Sequence, residues 1–227
     1  MRRALLAASL LAAATPGAAQ SLADYDYENL AFRGVGLDAG YLWANKIRDT
    51  HQYGVRLDLG YLGPGVRIVP TLTYWSSEFT RAELDRLAER MNQQAGTVFI
   101  RGSDLEPIQW SDLSLSIDGI FVWNTPLRVL TFIGVGGGLH ALNGQGSAVD
   151  DTFVEDLLDS ITAGVNALAG LEFEPIHRFR FYAEGRYTAL NSIQYLTARG
   201  GLQIMFYPDE GALGAVVAPP PLRGEDR

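Results

Sequence analysis

Three histidines, His51, His140 and His177, are the side chains best suited by type to move protons near neutral pH. A hydrolytic centre would set one of them beside a serine and a carboxylate, or beside an aspartate. Asp49 is close to His51, but in a stretch that reads as a loop. His140 ends an apolar segment and has no serine two positions away along it. His177 opens a strand-like run after a proline turn. The absence of cysteine removes disulfides, thiolate nucleophiles and sulfur-ligated metals together. Asp151, Glu155 and Asp159 recur every four residues, with Asp150 and Asp156 beside them. In a helix they would share one face and could hold a divalent cation; a solvated acidic loop is the plainer reading. Gly134-Val135-Gly136-Gly137-Gly138 could cradle a phosphate only between a strand and a following helix, and it sits inside an apolar strand instead. Thr80-Arg81-Ala82-Glu83 is a capping-box signature followed by Leu84, Leu87 and Met91 at helical spacing. It predicts a short amphipathic helix over residues 80–94, whose apolar stripe either packs down as a lid or takes a partner. The expectation is no catalytic residue, no cofactor site and no metal site.

The elements that carry these residues follow from composition and period. The chain has 227 residues, a net charge of −8 and 47% apolar residues, which fits one domain or two small ones and argues against a nucleic-acid binder. Mean hydropathy of +0.02 gives no sign of a bundle of membrane helices. Met1-Arg2-Arg3, an uncharged run to Ala14 and Thr15-Pro16-Gly17-Ala18-Ala19 read as an export signal cleaved after Ala19. The expected organisation is a signal over 1–19, a short periplasmic segment over 20–32, a barrel over 33–207 and a Pro-rich periplasmic tail over 208–227.

Beyond the signal the apolar residues recur with a period of two. Eight strands are predicted: 33–45, 52–62, 65–76, 111–123, 127–142, 162–174, 177–189 and 193–207. One face of each is free of charge, as in Tyr53, Val55, Leu57, Leu59 and Tyr61, or Phe179, Phe181, Ala183, Gly185 and Tyr187. The other face carries Asp38, Arg56, Asp58, Arg67, Asp112, Asp118, Arg128, Glu172, Arg178, Arg180, Glu184, Arg186 and Arg199, some of them expected at an exposed rim. Glycines such as Gly54, Gly136 and Gly164 alternate with these long side chains, which lets a narrow interior fill.

Period two does not say which face is inside. Aromatic residues gather at both ends of the apolar face: Tyr41, Trp43, Tyr53, Tyr74 and Tyr187 at one, Tyr61, Phe121, Trp123, Phe173, Phe179 and Phe206 at the other. Two girdles around an apolar band are what two lipid–water interfaces select. Short turns alternate with longer loops at 77–110 and 143–161. The ionic face has no lysine; Lys46, in a loop, is the single lysine among 18 basic residues. These features predict an all-β, eight-stranded, antiparallel up-and-down transmembrane β-barrel, apolar side out, with a short helix in an extracellular loop. Lipid offers no hydrogen-bond partner, so the sheet must close. Pro70 removes a ladder donor in mid-strand, and a bulge is expected there.

The chain resembles the OmpA/OmpX-like family of eight-stranded bacterial outer-membrane barrels. The most specific match is Arg199-Gly200-Gly201-Leu202-Gln203-Ile204-Met205-Phe206, which fits the polar-x-Gly-x-x-hydrophobic-x-aromatic signal of a last strand. The resemblance implies location in the outer membrane of a Gram-negative-type bacterium and contact with outer-membrane lipid and lipopolysaccharide, which the acidic loop could meet through a divalent cation. It also implies recognition by the barrel insertion machinery through the C-terminal strand, with a monomeric state. Residues 207–227, with Pro219-Pro220-Pro221, look like the linker to a peptidoglycan-binding domain of longer relatives, and cell-wall anchoring is not carried over. The expected role is structural or surface-interacting and non-enzymatic. The alternatives are a small-solute conduit or lipid-modifying enzyme, and a secreted lipocalin-like barrel.

Overall fold

A computed structural model describes residues 30–63, 65–95, 101–105, 107–125, 129–145 and 160–206. The predicted signal, the tail, the acidic cluster at 150–159 and Arg128 lie outside the described residues. Eight strands form one closed barrel in sequence order: β1 (Leu30–Ala44), β2 (Thr50–Gly63), β3 (Val66–Glu78), β4 (Gln109–Asn124), β5 (Leu130–Gln145), β6 (Ser160–Ile176), β7 (Phe179–Leu190) and β8 (Gln194–Met205). Every neighbouring pair is antiparallel, and β8 returns to β1. β1 begins three residues earlier than the sequence pattern places it. Among the described residues the one α-helix, α1 (Arg81–Ala95), stands in the β3–β4 connection with a 3₁₀ turn at Gly102–Asp104. Two connections at the α1 end are short: β1 to β2 spans 45–49 and β7 to β8 only 191–193.

Alternation decides the face of every strand. Leu37, Leu115, Ile117, Val135, Val165 and Phe181 are exposed on the outside. Asp38, Arg56, Asp118, Glu172, Glu184, Arg186 and Arg199 are buried on the inside. Both aromatic belts exist, and register assembles them: Tyr53 lies opposite Tyr74, and Tyr41 packs on Trp43 with centroids 5.1 Å apart. At the other end Phe121 packs on Trp123 at 5.9 Å, and Phe32 on Phe206 at 5.4 Å across the closing seam.

Pro70 keeps its place opposite Ile117 in an unbroken β3–β4 ladder. The irregularity predicted for it falls across the other edge, where β2 and β3 slip register between Arg56 and Tyr61. The bulge therefore belongs to β2. Gly60 there has φ +77°, a conformation that side chains resist, and its N–H donates to Asp58 Oδ1 at 2.8 Å.

The inward glycines make room for long neighbours. A Cβ on Gly136 would lie 2.1 Å from Asp118 Oδ1, whereas one on the outward Gly119 would find its nearest atom 3.9 Å away. Gly136→Ala is expected to lower stability by about 1–3 kcal/mol through overpacking. Gly119→Ala is expected to stay within about 0.5 kcal/mol. Urea unfolding of refolded protein compares the two; equal losses would contradict the assigned faces.

Candidate functional site

The interior holds three zones. At the end where β1 begins and β8 finishes, Glu172 on β6 accepts from Arg56 at 2.7 Å, from Arg180 at 3.4 Å and from Arg67. Asp58 faces Arg67 at 3.3 Å and Arg180 at 3.6 Å. Beside this cluster lies an apolar pack of Val69, Ile120, Val122, Phe132 and Leu168. The guanidinium of Arg56 sits between aromatic rings, 4.5 Å from the Tyr182 centroid and 5.3 Å from Phe132.

The middle zone is a second network. Glu184 meets Arg199 at 2.7 Å and Arg186 at 2.9 Å, and Arg186 reaches Asp118 at 2.6 Å. Tyr182 donates to Asp38 at 2.7 Å, and Arg199 lies 3.6 Å from the same carboxylate. Above this are hydroxyl pairs, Thr71 with Ser116 and Thr73 with Ser114, each at 2.6 Å. Forks of planar guanidinium suit such shared carboxylates, which accounts for arginine inside. Of the arginines expected inside, Arg178 is not: it is exposed in the β6–β7 turn with φ +74°.

The third zone was not anticipated from the sequence. Leu42, Trp75, Trp110, Leu142, Leu190 and Tyr195 point inward at the α1 end and pack with Ile47, Phe79, Ile108 and Ile193. Leu84 and Leu87 of α1 close this core from above, and Met91 packs on its edge. The apolar stripe of α1 is therefore the underside of a lid. The signal available in the sequence is that inward positions of several strands turn apolar at this end, as Leu42, Trp75, Trp110, Leu142, Leu190 and Tyr195 do.

The capping box behaves differently from its prediction. The helix starts at Arg81, and the Thr80 carbonyl accepts from the N–H groups of Glu83 and Leu84 at 3.0 and 3.1 Å. The Thr80 N–H, however, donates to the Lys46 carbonyl at 2.9 Å. The Glu83 carboxylate, freed from the box, meets Arg86 at 3.0 Å, Arg90 at 3.4 Å and Lys46 at 3.7 Å.

The histidines separate. His51 packs edge-on against Tyr41 in the outer belt, with centroids 5.4 Å apart. His177 is exposed in the β6–β7 turn. His140 is 2% exposed and pairs through Nδ1 with Asp112 Oδ2 at 2.8 Å. Ser114 stands directly across the β4–β5 ladder from His140. Serine, histidine and aspartate thus meet across strands. The trio lies beneath the apolar core, where no substrate reaches it, and the Ser114 hydroxyl is engaged with Thr73. Among the described residues no cluster of His, Asp and Glu is arranged to hold a metal.

No protein-family model matches the chain, and no curated protein matches its sequence. Solved structures match its shape. The Neisserial surface protein A superposes with a TM-score of 0.50 at 14% identity, over 77% of this chain and 97% of that one. Ail, the attachment invasion locus protein of Yersinia pestis, gives 0.48 at 11% identity, over 78% and 99%. The N-terminal β-barrel domain of Pseudomonas aeruginosa OprF gives 0.45 at 15% identity, over 76% and 97%. Closed antiparallel topology, an uncharged outer wall between two aromatic belts and a salt-bridged interior give this chain the fold of the eight-stranded outer-membrane barrels.

Proposed function

We propose that this chain is an integral outer-membrane barrel with a structural or surface-interaction role, and that it is neither an enzyme nor an open pore. The observation that carries this reading is the exposed apolar wall around a buried ionic interior. A lipocalin-like barrel would have the two faces exchanged, because water, not lipid, would bathe the outside. A conduit is disfavoured because the ionic networks and the apolar core under α1 occupy the lumen in succession. Catalysis is disfavoured because the Ser114–His140–Asp112 grouping is buried within the barrel. In this reading residues 1–19 direct export and are removed, 20–29 and the tail lie in the periplasm, and the α1 end faces outward. The last strand, together with Phe206 just past its end, whose N–H donates to the Arg33 carbonyl at 2.6 Å, carries the signal for the insertion machinery. The barrel works as a monomer among outer-membrane lipids.

The refolded protein is expected to migrate differently on a gel before and after boiling, and to give no stable large conductance in a planar bilayer. The chain has no cysteine, so single-cysteine variants report cleanly. A thiol at Phe181 in vesicles should resist a water-soluble maleimide and react with a lipid-soluble one. Full solubility without detergent, or ready aqueous labelling at Phe181, would overturn the reading.

A further inference from the structure

Glu83 is the starting point. Its carboxylate is 6% exposed and is shared by three cations, while the side chains of Arg86 and Arg90 remain 64% and 62% exposed. Lys46, Arg86 and Arg90 face two carboxylates, Glu83 and Glu89, so one positive charge is left over at this corner. Glu83, Arg86 and Arg90 are three and seven residues apart and share one face of α1. Lys46 comes from the β1–β2 connection, and its position is pinned. Its carbonyl accepts from Thr80, the Arg48 N–H donates to the Glu78 carbonyl at 2.8 Å, and the Ser77 hydroxyl donates to the Arg48 carbonyl at 2.6 Å. Ile47 forms a bridge with Phe79 beside them. The cations are thus held on two elements stitched together, not on free loops.

Between those elements lies a small cavity of about 110 Å³, lined by Lys46, Glu83, Arg90 and Ser192 over a floor of Phe79, Leu87 and Trp110. The Ser192 hydroxyl, from the β7–β8 turn, is buried and has no hydrogen-bond partner among the described residues. The adjoining outer crevice, about 320 Å³, is lined by Lys46, Glu83, Arg86, Glu89, Arg90 and Gln93. A buried hydroxyl without a partner, a surplus of positive charge and forked guanidinium groups describe a receptor for a tetrahedral anion. A phosphate monoester carries about 1.5–2 negative charges at neutral pH, and its oxygens suit forked guanidinium donors.

We propose that Lys46, Arg86, Arg90 and Ser192 form a phosphate-binding site at the lid–rim junction. Lys46 follows Trp43 of the outer aromatic belt by three residues, which puts the site just above the interface. In the membrane orientation proposed above, on which this step rests, that is the level of the outer-leaflet headgroups. The ligand is a phosphate group, carried either by a phosphorylated glycolipid or by a free anion.

The test uses the full chain refolded into phosphatidylcholine nanodiscs, followed by amide chemical shifts. One arm adds inorganic phosphate; the other builds a bis-phosphorylated glucosamine lipid into the disc. Shifts confined to the surroundings of Lys46, Arg86, Arg90 and Ser192 in either arm support the site. Response to the lipid alone assigns it to headgroups, and response to inorganic phosphate shows that the free anion suffices. The double variant R86Q/R90Q, whose side chains are exposed, should insert normally and weaken binding by about tenfold or more. No response in either arm, or undiminished binding by the double variant, would overturn the proposal. A barrel that inserts and is heat-modifiable but binds no phosphate fails this site alone and leaves the membrane reading standing.

Discussion

Glu172→Gln is expected to destabilise the barrel by about 3–5 kcal/mol, the loss typical when one partner of a buried ion pair is removed. The substitution keeps shape and volume and deletes only the charge. Arg56 would be left with a 3.8 Å contact to Glu184, and Arg67 and Arg180 would share Asp58 at 3.3 and 3.6 Å. Arg180 would keep Glu174 as well, at 3.3 Å. Three guanidinium groups would then depend on Asp58, on Glu174 and on a Glu184 already held by Arg186 and Arg199. The control is Glu78→Gln, which breaks an exposed bridge of 2.6 Å to Arg48 and should cost no more than about 1 kcal/mol. Urea unfolding from vesicles measures both, and a Glu172 variant as stable as the Glu78 variant would show that the interior cluster is hydrated and screened.

Ala167→Arg is the second large effect, expected at about 2–4 kcal/mol because it sets a guanidinium against acyl chains near the bilayer midplane. Ala167 is exposed on the outer wall, paired with Val135 on one side and Tyr187 on the other. In a water-soluble barrel the same substitution would be an ordinary surface change, within about 0.5 kcal/mol. The experiment therefore reads the solvent around the wall as well as the stability. Trp43 and Trp123 in the belts give a fluorescence signal for it, and wild-type stability in vesicles would count against the outward lipid face.

The architecture was legible because one rule governs the outer wall along every strand. Lipid tolerates no charge, so parity alone sorted Arg56 from Val55 and Arg180 from Phe181. The interior was less legible because it answers two demands. Within the membrane it must neutralise ions, and at the outer end it must exclude water. Reading its face for charge and glycine caught the first and passed over Leu42, Trp75, Leu142 and Tyr195, which serve the second. Parity also gives a face without a height or a bearing, so the partnership of Arg56 with Glu172, 116 residues apart, needed the register. The same gap hid Asp112 and Ser114 from His140, since a search along one strand does not see the next. Glu83 shows a different limit: the capping-box signature is the same whether the carboxylate turns back to the backbone or outward to Lys46, and only the neighbouring loop decides.

The seam between the first and last strands has a consequence for how the molecule is completed. Asp38 belongs to β1, Tyr182 and Glu184 to β7, and Arg199 to β8, yet they form a single network. Until the last strand docks, Glu184 lacks its Arg199 contact and Asp38 lacks the partners that reach it from β7 and β8. A half-built wall would present stranded charge to the bilayer, so this network is completed only by the finished ring. A copy missing its final strand should therefore fail to persist in lipid, discarded by its own electrostatics without any need for an outside inspector.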